Sequence, residues 1–279
     1  MSQKRIAAIH DISGLGKCSL TVALPICSAA GIETAVIPTA VLSTHTGGFT
    51  NFTFRDLTDD IIPIAKHWKE NGFEFEAIYT GYLGSARQIE LVKEAARLLR
   101  TQKTILICDP AMADHGKMYV GFDLEFAKNM LTLCAEADII VPNITEAVLM
   151  LGEEYTEGPY KKEYIEGLLS RLYAATKTKI VLTGVYFDNN KLGAACFDGE
   201  KINYTFENKI DATFHGTGDV FASALTSALV LGHDLPSAAS IAAKFTCRSI
   251  LHTIADDGER RYGVHFEKEL PNLIKYLER

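Results

Sequence analysis

The chain has 279 residues, 47% hydrophobic and 23% charged, and a formal net charge of −7. That size fits one large α/β domain or two small ones, with a core big enough to need no disulfide or metal staple; with no linker to split it, a single domain over residues 1–279 is expected. The acidic balance disfavours nucleic acid and anionic membranes as partners. With no signal-peptide pattern and no apolar run of membrane-spanning length, a cytoplasmic protein is expected.

Residues 5–10 predict a short apolar strand and 11–17 a glycine loop. Residues 18–30 predict a helix closed by Gly31. Extended, β-branched residues return at 34–43, and the Thr- and Gly-rich stretch 44–53 has no helical period, so a mobile hairpin or flap is expected there. A helix is expected over 59–71 with Thr58 as its N-cap. A strand follows at 75–80, then a helix over 86–100 capped by Ser85. Residues 104–108 form an almost purely apolar strand, as for one buried on both sheet faces. A helix at 124–136, a strand at 138–141 and a helix starting near Thr145 come next. A helix over 161–176 leads to a strand at 179–182. Residues 192–197 and 201–206, joined by Asp198-Gly199-Glu200, predict a β-hairpin. Two helices, 217–231 and 237–254, close the pattern, Pro236 suiting the start of the second.

Strands alternating with helices imply a doubly wound, mainly parallel central sheet with helices on both faces. The six cysteines (Cys18, Cys27, Cys108, Cys134, Cys196 and Cys247) lie scattered without a CxxC pair, mostly in apolar stretches. That is the pattern of reduced, buried thiols. Polar residues fall just past successive strands: Asp11, Thr44 to Thr46, Tyr82, Asp109, Asn143 and Thr183. Ligands of open parallel sheets bind along that edge.

The most telling segment is His215-Gly216-Thr217-Gly218-Asp219 at the start of an apolar helix. Free N–H groups and the helix dipole make such a start attractive to phosphate. A carboxylate placed there makes sense if it faces a hydroxyl that attacks the phosphate, which points to a small-molecule kinase. The same dipole is expected to depress the proton affinity of Asp219. Ser13-Gly14-Leu15-Gly16-Lys17-Cys18-Ser19 fails both the Walker A and the dinucleotide patterns, and reads alone as a tight strand-to-helix turn. Asp109, Asn143 and Glu146 are each open to two readings, as caps and first-turn charges or as groups organising Mg2+, which keeps part of its water shell. His45 and His215 read as site-lining, and His252 as structural.

In register, these segments resemble the pyridoxal kinases of the ribokinase-like superfamily and the related hydroxymethylpyrimidine kinases. The resemblance runs from Arg5 to about Ile254. It rests on Ser43-Thr44-His45-Thr46-Gly47, Thr80-Gly81-Tyr82-Leu83-Gly84-Ser85, Cys108-Asp109-Pro110-Ala111-Met112-Ala113-Asp114, Val141-Pro142-Asn143-Ile144-Thr145-Glu146-Ala147 and Gly216-Thr217-Gly218-Asp219. It implies transfer of the ATP γ-phosphoryl group to the 5′-hydroxymethyl group of pyridoxal, pyridoxamine or pyridoxine. Asp219 would be the base, and Gly216, Thr217 and Gly218 the anion hole. Asp11, Ser13, His45, Thr46 and Tyr82 would line the pyridine site. Asn143, Thr183 and Gly184 would meet the nucleotide, and Asp109 and Glu146 the metal. It further implies Mg2+, leaves a K+ requirement open, and implies a homodimer. Two departures stand out: the first loop is shorter than the family's, and Val141 replaces a threonine. A hydroxymethylpyrimidine kinase of thiamine synthesis is the alternative. A non-catalytic vitamer or nucleotide sensor on the same fold is disfavoured by the presence of Asp219 and Glu146. A sugar kinase is disfavoured by a flap that suits a flat ring.

Overall fold

The structure is a computed structural model that describes residues 3–256 and 260–278. The chain runs β1 (Arg5–Ser13), α1 (Leu20–Ala29), β2 (Glu33–Leu42), β3 (Phe54–Asp56), α2 (Ile61–Glu70), β4 (Ala77–Thr80) and α3 (Ala86–Leu99). It continues through β5 (Ile105–Cys108), β6 (Ala113–Asp114), β7 (Lys117–Met118), α4 (Leu124–Cys134), β8 (Ile139–Ile140), α5 (Ile144–Met150) and α6 (Lys162–Thr176). Then come β9 (Lys179–Val185), β10 (Lys191–Phe197), β11 (Ile202–Asn208), α7 (Thr217–Val230), α8 (Leu235–Ile254) and α9 (Leu270–Leu277).

Nine strands form one sheet in the order β11-β10-β9-β8-β5-β4-β1-β2-β3. From β2 to β9 neighbouring strands pair in parallel, while β3 and the β10–β11 hairpin pair antiparallel at the two edges. The two faces carry separate apolar cores. One packs α2 to α6 through residues such as Ile89, Met130 and Leu168. The other packs α1, α7, α8 and α9 through Val22, Leu225, Phe245 and Leu273. Central strands are therefore apolar on both sides, as the sequence of β5 requires. No helix among the described residues is long and apolar enough to cross a membrane.

After β2 the chain returns to pair β4 on the other side of β1, so the strand order reverses there. A crevice opens at the strand tips of such a switch point. β1 extends through Ser13, so Asp11 and Ser13 belong to the strand rather than to the expected loop. Its register shifts between His10 and Ile12, an irregularity that re-aims the side chain between them.

Other expectations are adjusted by tertiary contacts. Thr58 does not cap α2; it opens a short 3-10 turn over Thr58–Asp60, and its hydroxyl accepts instead from Gln88 Nε2 at 2.9 Å. β9 runs on through Thr183 and Gly184, with Gly184 at φ 78° beside a register shift against β10. After α8 the chain does not end its structure but forms further turns at Arg260–Tyr262 and Phe266–Lys268 before α9.

Candidate active site

The helix start anticipated at Gly216 is present. Gly216 is the N-cap of α7 at φ 76°, a backbone conformation that favours glycine, and it has no side-chain cap. A Cβ there would sit 1.9 Å from the Lys17 carbonyl oxygen, so the first loop and the helix start touch backbone to backbone. Gly218 has open space before it. Half-buried Asp219 lies in the first turn of α7, and the N–H groups of that turn lack intrahelical acceptors.

Around Asp219 the strand tips bring their polar residues. Asp11 is 3% exposed; its Oδ2 accepts from the Ser13 hydroxyl at 3.2 Å, while Oδ1 is buried without a hydrogen-bond partner. Half-buried Tyr82 packs its ring on Phe122. Burial, with Asp11 adding to it, pushes the Tyr82 phenol up to about 12, so it stays a hydrogen-bond donor. On the other flank, burial drives Asp109 well above the carboxylate range, helped by the charges of Glu146 and Asp219.

Glu146 is part of a complete capping box. Its Oε2 accepts from the Asn143 N–H at 2.8 Å and Asn143 Oδ1 accepts from the Glu146 N–H at 2.9 Å. Glu146 Oε1 takes the Met112 N–H at 3.1 Å, and Asn143 Nδ2 donates to the Ala113 carbonyl at 2.8 Å. Burial still lifts Glu146 to about 8, against those backbone donors. Thr183 bridges Asn143 across the parallel pair, which sets β9's end beside the start of α5.

Asp219 departs from expectation. Burial pushes its carboxyl up to about 7, with Asp11 adding to the rise and the Ser19 backbone N–H opposing it. The helix start does not make it a weak base, because loss of solvent outweighs the backbone dipoles.

The flap is held down. His45 is 5% exposed, and its Nε2 pairs with the Arg261 carbonyl at 2.9 Å. Its ring meets Phe49 and His215 at 5.0 and 5.3 Å, and burial lowers its proton affinity. Half-buried Thr46 lies on the same flap, and a Cβ at Gly47 would meet the His215 ring at 2.5 Å. The Lys17 N–H donates to the Tyr262 carbonyl at 2.6 Å, and Lys17 Nζ pairs with Glu267 at 2.7 Å. Flap, first loop and the strap 261–267 thus close together over the strand tips. A concavity of about 200 Å3 lined by Ala29, Ala30, Leu231, Ile274, Leu277 and Glu278 lies at the far ends of α1 and α7, away from this chemistry.

Five of the predicted residues are linked by charge: Tyr82 with Asp11, Asp11 with Asp219, Asp219 with Asp109, and Asp109 with Glu146. Three contributors escaped the sequence reading. Ser19 stands between two carboxylates. Tyr119, 39% exposed, lies within electrostatic reach of Glu146, Asp114, Asp219 and Asp109, and partial desolvation together with their charges raises its proton affinity. The strap 261–267 has no periodic pattern to announce it. Among the described residues no three His, Cys, Asp or Glu side chains group as a metal cluster.

Residues 24–261 match the sequence profile of the family described as phosphomethylpyrimidine kinase. The chain belongs to this family. A Bacteroides thetaiotaomicron VPI-5482 structure, described provisionally as a phosphomethylpyrimidine kinase, is 37% identical with a TM-score of 0.93, covering 98% of this chain and 94% of that one. A second crystal form of that protein, solved with pyridoxal, gives a TM-score of 0.91 at 36% identity, covering 98% and 96%. Pyridoxal kinase from Lactobacillus plantarum is 28% identical with a TM-score of 0.89, covering 98% of each chain. Pyridoxal kinase of Sus scrofa is 26% identical over 247 residues, 80% of this chain and 73% of that protein. The architecture of these kinases, a mainly parallel sheet between helix layers, is the one found here.

Proposed function

We propose that this family member transfers the γ-phosphoryl group of ATP to the 5′-hydroxymethyl group of a vitamin B6 vitamer, with Asp219 as the base. The observation that carries the reading is a carboxylate in the first turn of α7, beside Gly216, Thr217 and Gly218 and between the buried carboxylates Asp11 and Asp109. The relative solved with pyridoxal supports the pyridine as substrate.

Phosphoryl transfer passes through a loose transition state, so positioning and charge stabilisation do most of the work. The N–H groups of Thr217 and Gly218 would take the shifting phosphoryl oxygens. Asp219, raised to about 7, is half-charged at neutral pH and strong enough to accept the alcohol proton as the new P–O bond forms. Asp11 Oδ1, Ser13, Tyr82, Thr46 and His45 would seat the pyridine's polar groups. Asn143, Thr183 and Gly184 would border the nucleotide. The flap and strap exclude water that would otherwise hydrolyse ATP.

Mg2+ fits Asp109 and Glu146: they are hard oxygen donors, both buried, and the charge of Glu146 acts on Asp109. With two backbone donors already on Glu146, the ion would keep water and phosphate oxygens in its shell, as Mg2+ does. When bound it would neutralise the triphosphate.

A panel of pyridoxal, pyridoxamine, pyridoxine and hydroxymethylpyrimidine with Mg-ATP, read as ADP formed, tests the reading. Turnover of a B6 vitamer above the pyrimidine supports it. The reverse preference would establish the second reading, hydroxymethylpyrimidine phosphorylation, which the family's description favours. Repeating the assay in Na+ and K+ buffers decides the monovalent cation, and sedimentation tests the homodimer that belongs to this reading. A cytoplasmic location belongs to it as well.

A further inference from the structure

Ser19 is a serine at a helix N-cap that does not cap. It precedes α1, where a serine ordinarily takes extended backbone and bonds its hydroxyl to an N–H of the first turn. Here its backbone lies at φ 57° and ψ −130°, and its side chain makes no capping hydrogen bond. The other non-glycine residues at positive φ among those described are Asn51, His115 and Lys177, all on exposed turns or helix ends. Ser19 alone of these is buried, at 4% exposure. A φ near +60° with ψ near −130° belongs to glycine at tight turns, so a buried serine in it carries strain that its surroundings must hold.

The surroundings are specific. The Ser19 carbonyl takes the N–H groups of Val22 and Ala23 at 3.0 and 2.9 Å, which starts α1. The Thr21 hydroxyl ties the Cys18 and Gly16 carbonyls at 2.7 and 2.9 Å. A bridge to Ile12 fixes the loop against β1. With its carbonyl committed to the helix, Ser19 sits between the site's two carboxylates: the bridge to Ile12 lays it against the strand segment that carries Asp11 and Ser13, and the Sγ of its neighbour Cys18 lies 3.3 Å from where a Cβ on Gly216, at the start of α7, would be. Its N–H lies toward Asp219 and its hydroxyl toward Asp11, and each lowers the proton affinity of its neighbour. These two carboxylates repel each other, and one short residue lies between them.

We propose that Ser19 is a positioning residue for phosphoryl transfer. Its N–H sets the carboxylate of Asp219 against the attacking alcohol, and its hydroxyl sets Asp11, the seat of the substrate's polar group, so that seat and base are held in register by one strained residue. This rests on Asp219 acting as base in the proposed kinase reaction. The strain is the cost of turning both groups inward, where a relaxed N-cap would spend them on the helix.

The test is Ser19→Gly in the full-length protein, after wild-type turnover of a vitamer has been established; a wild type without that turnover rejects the kinase reading itself and not the role of Ser19. Glycine adopts the same backbone path without strain and keeps the N–H, but loses the hydroxyl and the rigidity. The proposal expects kcat to fall roughly tenfold to a hundredfold, the loss that follows about 1 Å of misplacement. KM for ATP stays within about twofold, KM for the vitamer rises, and the melting temperature is unchanged or higher. Wild-type kcat and vitamer KM in Ser19→Gly overturn it. So does a loss of activity that tracks a lowered melting temperature and a raised ATP KM, which would make Ser19 a part of the fold only. Ser19→Ala is the second arm: it keeps the strain and loses the hydroxyl, so a raised vitamer KM supports the Asp11 contact and an unchanged one overturns it.

Discussion

Asp219 must be charged to accept a proton, and its surroundings resist that charge. Because its carboxyl is raised to about 7, kcat/KM, which reports the free enzyme, should show an acid limb with a midpoint near pH 7. A profile flat from pH 8 down to pH 5.5 would contradict this. The same shift has a stability consequence. A carboxyl whose folded value lies above its unfolded value of 3.8 stabilises the fold while protonated, and that contribution is lost as pH rises from about 4 through about 7. Asp219→Asn should therefore melt higher than wild type at pH 8.5, with the difference vanishing near pH 4. A wild type that melts higher at both pH values would show that the charged carboxylate is well solvated. The sign could not be read from the sequence, where the helix start alone was visible and argued for a lowered value. The loss of solvent around this half-buried carboxylate is a tertiary fact.

The loop before α1 and the start of α7 are one unit, joined where the Lys17 carbonyl meets Gly216. Gly216→Ala places a methyl group 1.9 Å from that oxygen at an unfavourable φ, so it should cost both activity and melting temperature. Gly218→Ala faces open space; it should fold with wild-type stability and lose activity only because its methyl group enters the phosphate's place. Steady-state assays with thermal melts on both variants check the pair, and equal stability losses would contradict the contrast. At this scale the sequence was most legible where the signal is local. The cap of Ser85 on α3, the Asp198-Gly199 hairpin turn, and Asn143 with Glu146 at α5 all depend on neighbours within a few residues. Thr58 misled because a distant residue, Gln88, claimed its hydroxyl. Ser19 was hidden because its letter is the ordinary one for an N-cap and only its backbone angle is unusual.

Across the whole molecule, alternating strands and helices made the sheet and its polar edge legible, since apolar periodicity encodes which face is buried. The strap was not, because its side chains fill separate gaps with no period. Phe266, 1% exposed in the core shared by α8 and α9, also lies beneath Lys17 Nζ at 5.6 Å. Phe266→Ala should cost about 3–5 kcal/mol in urea unfolding, as large buried aromatics do. A cost below about 1 kcal/mol would mean that the strap is only laid on the surface. Everything at the strand tips serves one proton transfer, and turnover of Asp219→Asn with saturating Mg-ATP and vitamer at pH 8 tests it most directly. The account predicts a folded protein that still binds the vitamer with kcat lowered roughly 10²- to 10⁴-fold. A kcat within a few-fold of wild type would remove Asp219 from the reaction.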